Sequence, residues 1–141
     1  MSFSSFPTVN IFNFEAISTK MNIETIREYC LQMPLATEDF PFDENVLVFR
    51  VLNKIFAMID LSDTEWFVLK CEPEYAVNLR DMHPEITGAY HMNKKHWNQI
   101  DLFGGLSDEL ICSMIRHSYA QVVKKMPQRV KNENKIILKI Q

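Results

Sequence analysis

Two expected turns carry cations. Lys54 follows Leu52-Asn53, and Lys94-Lys95-His96 follow Asn93. An amino group at the tip of a β-hairpin can reach a phosphate oxygen, a contact that needs charge and reach rather than base-specific geometry. Arg116, Lys124 and Lys125 lie further along the chain as supporting cations. The competing reading is that lysines at hairpin tips simply keep the turns soluble.

Other chemistries find less to work with. His91 and His96, joined by His83 or His117, offer imidazoles for a metal. On a hairpin, however, the first two differ in register and face opposite sides, so ordinary polar-edge histidines account for them. Cys30, Cys71 and Cys112 form no Cys-x-x-Cys pair, which gives no zinc site and no disulfide framework. Cys71 reads as a small buried hydrophobe rather than a redox thiol. Ser118 and Tyr119 have no base close in sequence and read as packing residues, the tyrosine hydroxyl hydrogen-bonded at the margin of the core. Asn98 reads as a polar tie between one strand or loop and another. No glycine-rich phosphate loop, Gly-x-Ser-x-Gly elbow, His-Glu-x-x-His or dinucleotide fingerprint occurs. The residues imply a non-enzymatic protein without metal or cofactor.

Composition bounds the rest. With 141 residues, 47% of them apolar, the chain can bury about two thirds of its unfolded surface in a single core. Its net charge of −3 lends no general support to nucleic-acid binding. The distribution says more: from residue 91 onward nine basic residues stand against four acidic ones, while the earlier part is acidic. Such asymmetry marks either a basic face or a solvated helix end followed by a basic tail. No apolar run approaches the roughly 18 residues of a membrane span, and Met1 to Lys20 lack the pattern of a secretory signal. A reducing cytoplasm is expected. Residues 1–20, with Phe3, Phe6, Phe12 and Phe14, read as a loosely held extension.

The elements that must position these residues follow from periodicity and caps. Asn22 caps a first helix bearing Ile23, Ile26, Cys30 and Met33, which Pro34 closes. Leu35 to Asn45 reads as a loop whose Phe40-Pro41-Phe42 folds back over the open end of the core. Aromatic platform and protein-docking patch are the functional alternatives for these rings. The runs 46–51 and 54–59 flank Leu52-Asn53 as a hairpin, and residues 66–70 follow as a third strand after the turn at Ser62-Asp63-Thr64-Glu65. Pro73 suits the first turn of a second helix, which His83-Pro84 ends. Residues 90–100 read as another hairpin with Asn93-Lys94 as a two-residue turn. The helix from Ser107 to Lys125 is marked at both ends, by a serine cap with Asp108 and Glu109 and by Lys124 and Lys125. Its apolar stripe is expected against a sheet carrying Trp97. Residues 128–141 form a basic tail whose Ile136-Ile137-Leu138-Lys139-Ile140 has strand composition. The expected fold is one α+β domain over residues 21–127, helix, three strands, helix, two strands, helix, with the helices on one face of an antiparallel sheet.

Several ordered motifs resemble one family. Lys94-Lys95-His96-Trp97-Asn98 followed by Ser118-Tyr119, with Phe40-Pro41-Phe42, Lys54-Ile55-Phe56-Ala57 and Lys70-Cys71-Glu72-Pro73-Glu74, look like the signature of the MmcQ/YjbR family. That resemblance implies a double-wing arrangement whose β-hairpins straddle duplex DNA. On this sequence the wings would carry Lys54, Lys94, Lys95 and His96, backed by Arg116, Lys124 and Lys125. The family's fold is also similar to that of secretion chaperones, so a protein-interaction adaptor without a nucleic-acid role is the alternative.

Overall fold

The structure, a computed structural model, describes residues 21–62, 66–90 and 92–140. The extension over residues 1–20, His91 and most of the expected turn at 62–65 lie outside them. Along the chain come α1 (Ile23–Leu31), β1 (Ala36–Asp39), β2 (Val46–Val51), β3 (Lys54–Asp60), β4 (Trp66–Lys70) and α2 (Pro73–Met82). They are followed by β5 (Ile86–Gly88), β6 (Trp97–Asp101), α3 (Asp108–Lys124), α4 (Gln128–Glu133) and a 3-10 helix (Lys135–Lys139). The six strands form one antiparallel sheet in the order β1-β2-β3-β4-β6-β5.

Local chemistry sets most boundaries as expected. The Asn22 side chain accepts from Thr25 N while the Thr25 hydroxyl accepts from Asn22 N, a reciprocal cap on α1. Ser107 Oγ accepts from Leu110 N to start α3. Glu72 caps α2 by accepting from Tyr75 N and Glu74 N, with Pro73 in the first turn. Leu52 and Asn53 take φ of 47° and 72°, the left-handed pair that a primed two-residue turn needs, and they join β2 to β3.

The larger core lies between one face of the sheet and the helices. Ile111, Ile115, Tyr119 and Val122 of α3 meet Phe49, Phe56, Phe67 and Ile100 there, with Ile26 of α1 and Leu79 of α2 on either side. A smaller cluster of Val48, Met58, Val68 and Ala89 occupies the opposite face. The α+β class and the antiparallel sheet with helices on one face are therefore as the sequence implies.

Four expectations are corrected. The stretch 36–39, expected within a loop, is the edge strand β1, held by its ladder to β2 and by Arg50 Nε donating to Asp39 Oδ1 at 2.9 Å. Phe40 and Phe42 do not fold back over the core: they are 48% and 66% exposed. Asp43 Oδ1, by accepting from Asn45 N and Val46 N, turns the chain sharply beyond them and leaves the rings outside. The C-terminal isoleucines form a 3-10 turn, not a strand, with Ile137 inserted into the core and Ile140, three residues on, packed against it. Trp97 does not meet α3. Strand alternation places Asn98 and Ile100 on the helix side, so Trp97 packs half-buried with the opposite cluster.

Candidate nucleic-acid interface

Pairing of β3 with β4 stops at Ala57↔Leu69, and a hydroxyl from α3 fills the gap beyond. Ser118 Oγ accepts from Lys70 N at 2.8 Å and donates to Phe56 O at 2.5 Å. Next to it Tyr119 is fully buried, lies edge-on to Phe56 and donates its hydroxyl to Pro34 O at 2.6 Å. The Ser-Tyr pair thus has the packing role expected of it. It also fixes where β4 ends, and with it the position of Lys70.

Lys70 pairs across the ladder with Trp97, and its amino group stands 5.9 Å from the indole centroid. β6 begins there, after a connection of residues 89–96. This connection is not the two-residue Asn93-Lys94 turn. Both His96 N and Trp97 N donate to Asn93 O, and Asn93 Oδ1 accepts from Lys95 N, so the chain makes a helical turn before entering β6. Arg80 of α2 holds the loop from behind, donating to Lys94 O at 3.2 Å and to Asn98 Oδ1 at 2.6 Å. Asn98, 2% exposed, also donates to Ala76 O. It is a polar tie, but one that joins β6 to the helix α2 rather than to another strand or loop.

The expected site residues separate into groups. The charges of Lys125 and Lys54 bear on Lys70, which sequence reasoning did not select, and those of Lys125, Lys70 and Lys95 bear on His96. Burial, then the charges of Lys125 and Lys54, hold the Lys70 ammonium below its usual range. Desolvation, then Lys125, Lys70 and Lys95, hold the His96 imidazole below its own. Among the described residues no carboxylate forms an ion pair with these groups. Like charges in one neighbourhood repel, and an anion among them would offset that repulsion.

The other three lie elsewhere. The stem of Lys94 runs over Gly88 so closely that a β-carbon there would come within 3.1 Å of it, and its amino group stands 5.9 Å from the Tyr90 ring centroid. Lys124 acts on Glu72, whose carboxyl is held low first by its bonds to Tyr75 N and Glu74 N. Arg116 donates to the Tyr29 hydroxyl at 2.6 Å, facing α1 rather than the cations around Lys70. Lys70 was hidden because it closes an apolar strand run. Its place across from Trp97 was the available signal, and reading it required the register.

The thiols are quiet. Burial pushes Cys71 up to about 12 and Cys112 up to about 11, and Cys30 is also raised by burial. Cys71 therefore behaves as the small hydrophobe expected. A cavity of about 10 Å³, no larger than a single water, lies between Cys71, Leu79, Asn98, Ile100 and His117.

A single antiparallel sheet with helices on one face defines a small α+β domain. Residues 31–121 match the YjbR family model, and the chain belongs to the YjbR family. It is 31% identical over 109 residues to the Escherichia coli K12 protein named uncharacterized protein YjbR, covering 77% of this chain and 92% of that one. It is 30% identical over 107 residues to uncharacterized protein YbdF of Escherichia coli O157:H7, covering 75% and 88%. A solved Deinococcus radiodurans protein, titled as carrying a DUF419 domain, aligns with a TM-score of 0.75 and 36% identity over 81% of this chain and 88% of its own. A solved Pseudomonas syringae protein aligns with a TM-score of 0.64 and 28% identity over 72% and 99%.

Proposed function

We propose that this protein binds duplex DNA non-enzymatically through the phosphate backbone. Lys54, Lys70, Lys95, His96 and Lys125 make the contacts, with Lys94 and Lys124 at the margin. One observation carries this reading: Lys70 ends β4 across from Trp97 with the charges of Lys54 and Lys125 bearing on it, while those of Lys95 and Lys125 bear on His96 beside it. Lysines that merely keep turns soluble have no reason to crowd together. Contacts of this kind recognise charge, so binding is weak and independent of sequence.

Fluorescence anisotropy with a labelled duplex tests the reading. Three to five neutralised phosphates give a log-log salt slope of about −2.7 to −4.5. Lys95→Glu with Lys125→Glu weakens binding at least about tenfold and flattens that slope. No binding at about 100 µM protein in low salt, the weak end of non-specific affinities, removes it.

A second reading, a protein-interaction adaptor, draws on Phe40 and Phe42 exposed beside the edge strand β1. Of the C-terminal apolar residues Ile137 belongs to the core, while Ile136 and Leu138 stay exposed. Pull-down with Phe40→Ser and Phe42→Ser tests the adaptor reading, and an unchanged set of partners counts against it. Among the described residues no helix is long and apolar enough to cross a membrane.

A further inference from the structure

We propose that the sheet face turned away from the helices is the interface of a two-fold dimer, in which a second copy of the chain lies with its strands antiparallel and the lysine end of each face meets the aspartate end of the other. The inference stands without the nucleic-acid reading. Where both hold, Lys70 serves one of them at a time, so duplex and second copy compete for it.

Strand alternation and register set out this face. β4 turns Trp66, Val68 and Lys70 to it and β6 turns Trp97, Gln99 and Asp101, paired as Trp66↔Asp101, Val68↔Gln99 and Lys70↔Trp97. Met58 lies beside Val68, and Val48 lies beyond Met58. A sheet face left to water is ordinarily lined with polar residues, yet the middle of this one is an apolar cluster. Among the described residues, none of that cluster's members comes from a helix. The two indoles in it keep part of their surface open to solvent.

The charges at its two ends differ in sign. Lys70 stands at one end beside Trp97, its amino group 5.9 Å from the ring centroid. Asp101 stands at the other end beside Trp66, with Oδ1 accepting from Phe103 N at 2.9 Å and Oδ2 able to take a further donor. The two ends are roughly 13 Å apart at strand rise, and Lys70 and Asp101 form no ion pair with each other. A two-fold axis across the strands at the Val68 and Gln99 pair brings opposite ends together. Lys70 then meets the partner's Trp66 and the partner's Asp101, an aromatic face and a carboxylate, and the contact occurs twice. Gln99 meets the partner's Gln99 on the axis, where each amide can donate and accept. Stacking with the strands parallel would instead bring the two lysine ends together, and that repulsion selects the antiparallel arrangement. Aligned sheets pack about 10 Å apart, a gap that side chains of these lengths fill.

Sedimentation velocity of the full chain in low salt, from about 5 to about 500 µM, reads the association. A patch on four strands is at the small end of specific interfaces, so the dimer forms within that range and weakens as salt is added. Lys70→Glu and Asp101→Lys should each weaken it at least about tenfold, and the two changes together should return it to within about threefold of wild type. Urea melts establish that each variant is folded. Rescue by the exchanged pair is a result that a merely structural role does not give, because the two side chains belong to opposite ends of one chain. A full chain that stays monomeric at about 500 µM, or a double variant no better than the single ones, overturns the dimer. A monomer whose tryptophan emission responds instead to a DNA oligonucleotide, or to removal of residues 1–20, assigns the face to that occupant and overturns the dimer as well.

Discussion

The two connections that bring cations to the strand end are built in opposite ways. Leu52-Asn53 takes its shape from its own left-handed backbone angles, and Arg50, three residues away, donates to Asn53 O at 3.1 Å. The 89–96 connection is held from elsewhere as well: Arg80 on α2 donates to Lys94 O, Cys71 N after β4 donates to His96 O, and the buried Asn98 in turn accepts from Arg80. A tight turn is a local object. The longer loop depends on the packing of the whole domain, so its cations are placed only as well as its supports are.

This contrast can be broken experimentally, beginning with the largest effect. Asn98→Ala leaves the Arg80 guanidinium without its shortest partner in a part-buried setting and should cost about 3 kcal/mol by urea denaturation. A cost below about 1 kcal/mol would mean the loop does not depend on that tie. Trp97→Ala removes a half-buried ring and the surface under Lys70, for a loss of about 2 kcal/mol, short of the 3 to 5 of a fully buried aromatic. At the tight turn Asn53→Ala should cost only about 1 kcal/mol, for a left-handed residue with a less tolerant side chain. Asn53→Gly should be close to neutral, and a large loss there would show that the asparagine side chain matters more than its φ.

The smallest effect is a pH dependence. Burial holds the His117 imidazole below its ordinary 6.5, with Glu72 opposing the shift. The unfolded chain therefore binds more protons between the lowered folded value and 6.5, so stability falls as pH drops through that window and is unaffected well above it. His117→Gln should flatten the decline in a series of thermal melts. An unchanged decline would assign it to other groups.

The same contrast explains what could be read in the chain. Elements announced by their own residues were legible: the Asn22 and Ser107 caps, Pro73 in its first turn, and the Leu52-Asn53 hairpin between β-branched runs. β1 was not, because Ala36-Thr37-Glu38-Asp39 has no apolar alternation and exists through its partners Arg27, Arg50 and β2. Ile136 to Ile140 has strand composition, yet the packing of Ile137 and Ile140, three residues apart, on the core selects a turn instead. Trp97 shows the limit of hydrophobicity alone. A large ring on a strand says that some surface is covered, while the side is decided by which neighbour must face the helices, here Asn98. For the candidate site, lysines beside turns could be found from sequence, but their convergence on Lys70 required the register of β4 against β6.

A hydroxyl that answers a donor on one strand and an acceptor on the next admits a single axial setting of the helix that carries it. Sliding α3 by one turn, about 5.4 Å, would replace Ser118 with a neighbour unable to serve both groups and would abandon two polar atoms in an oily interior. Greasy contacts along α3 would tolerate such a slip far better. The serine therefore works less as glue than as a notch, and it keeps Lys125, seven residues on, from drifting away from the strand ends.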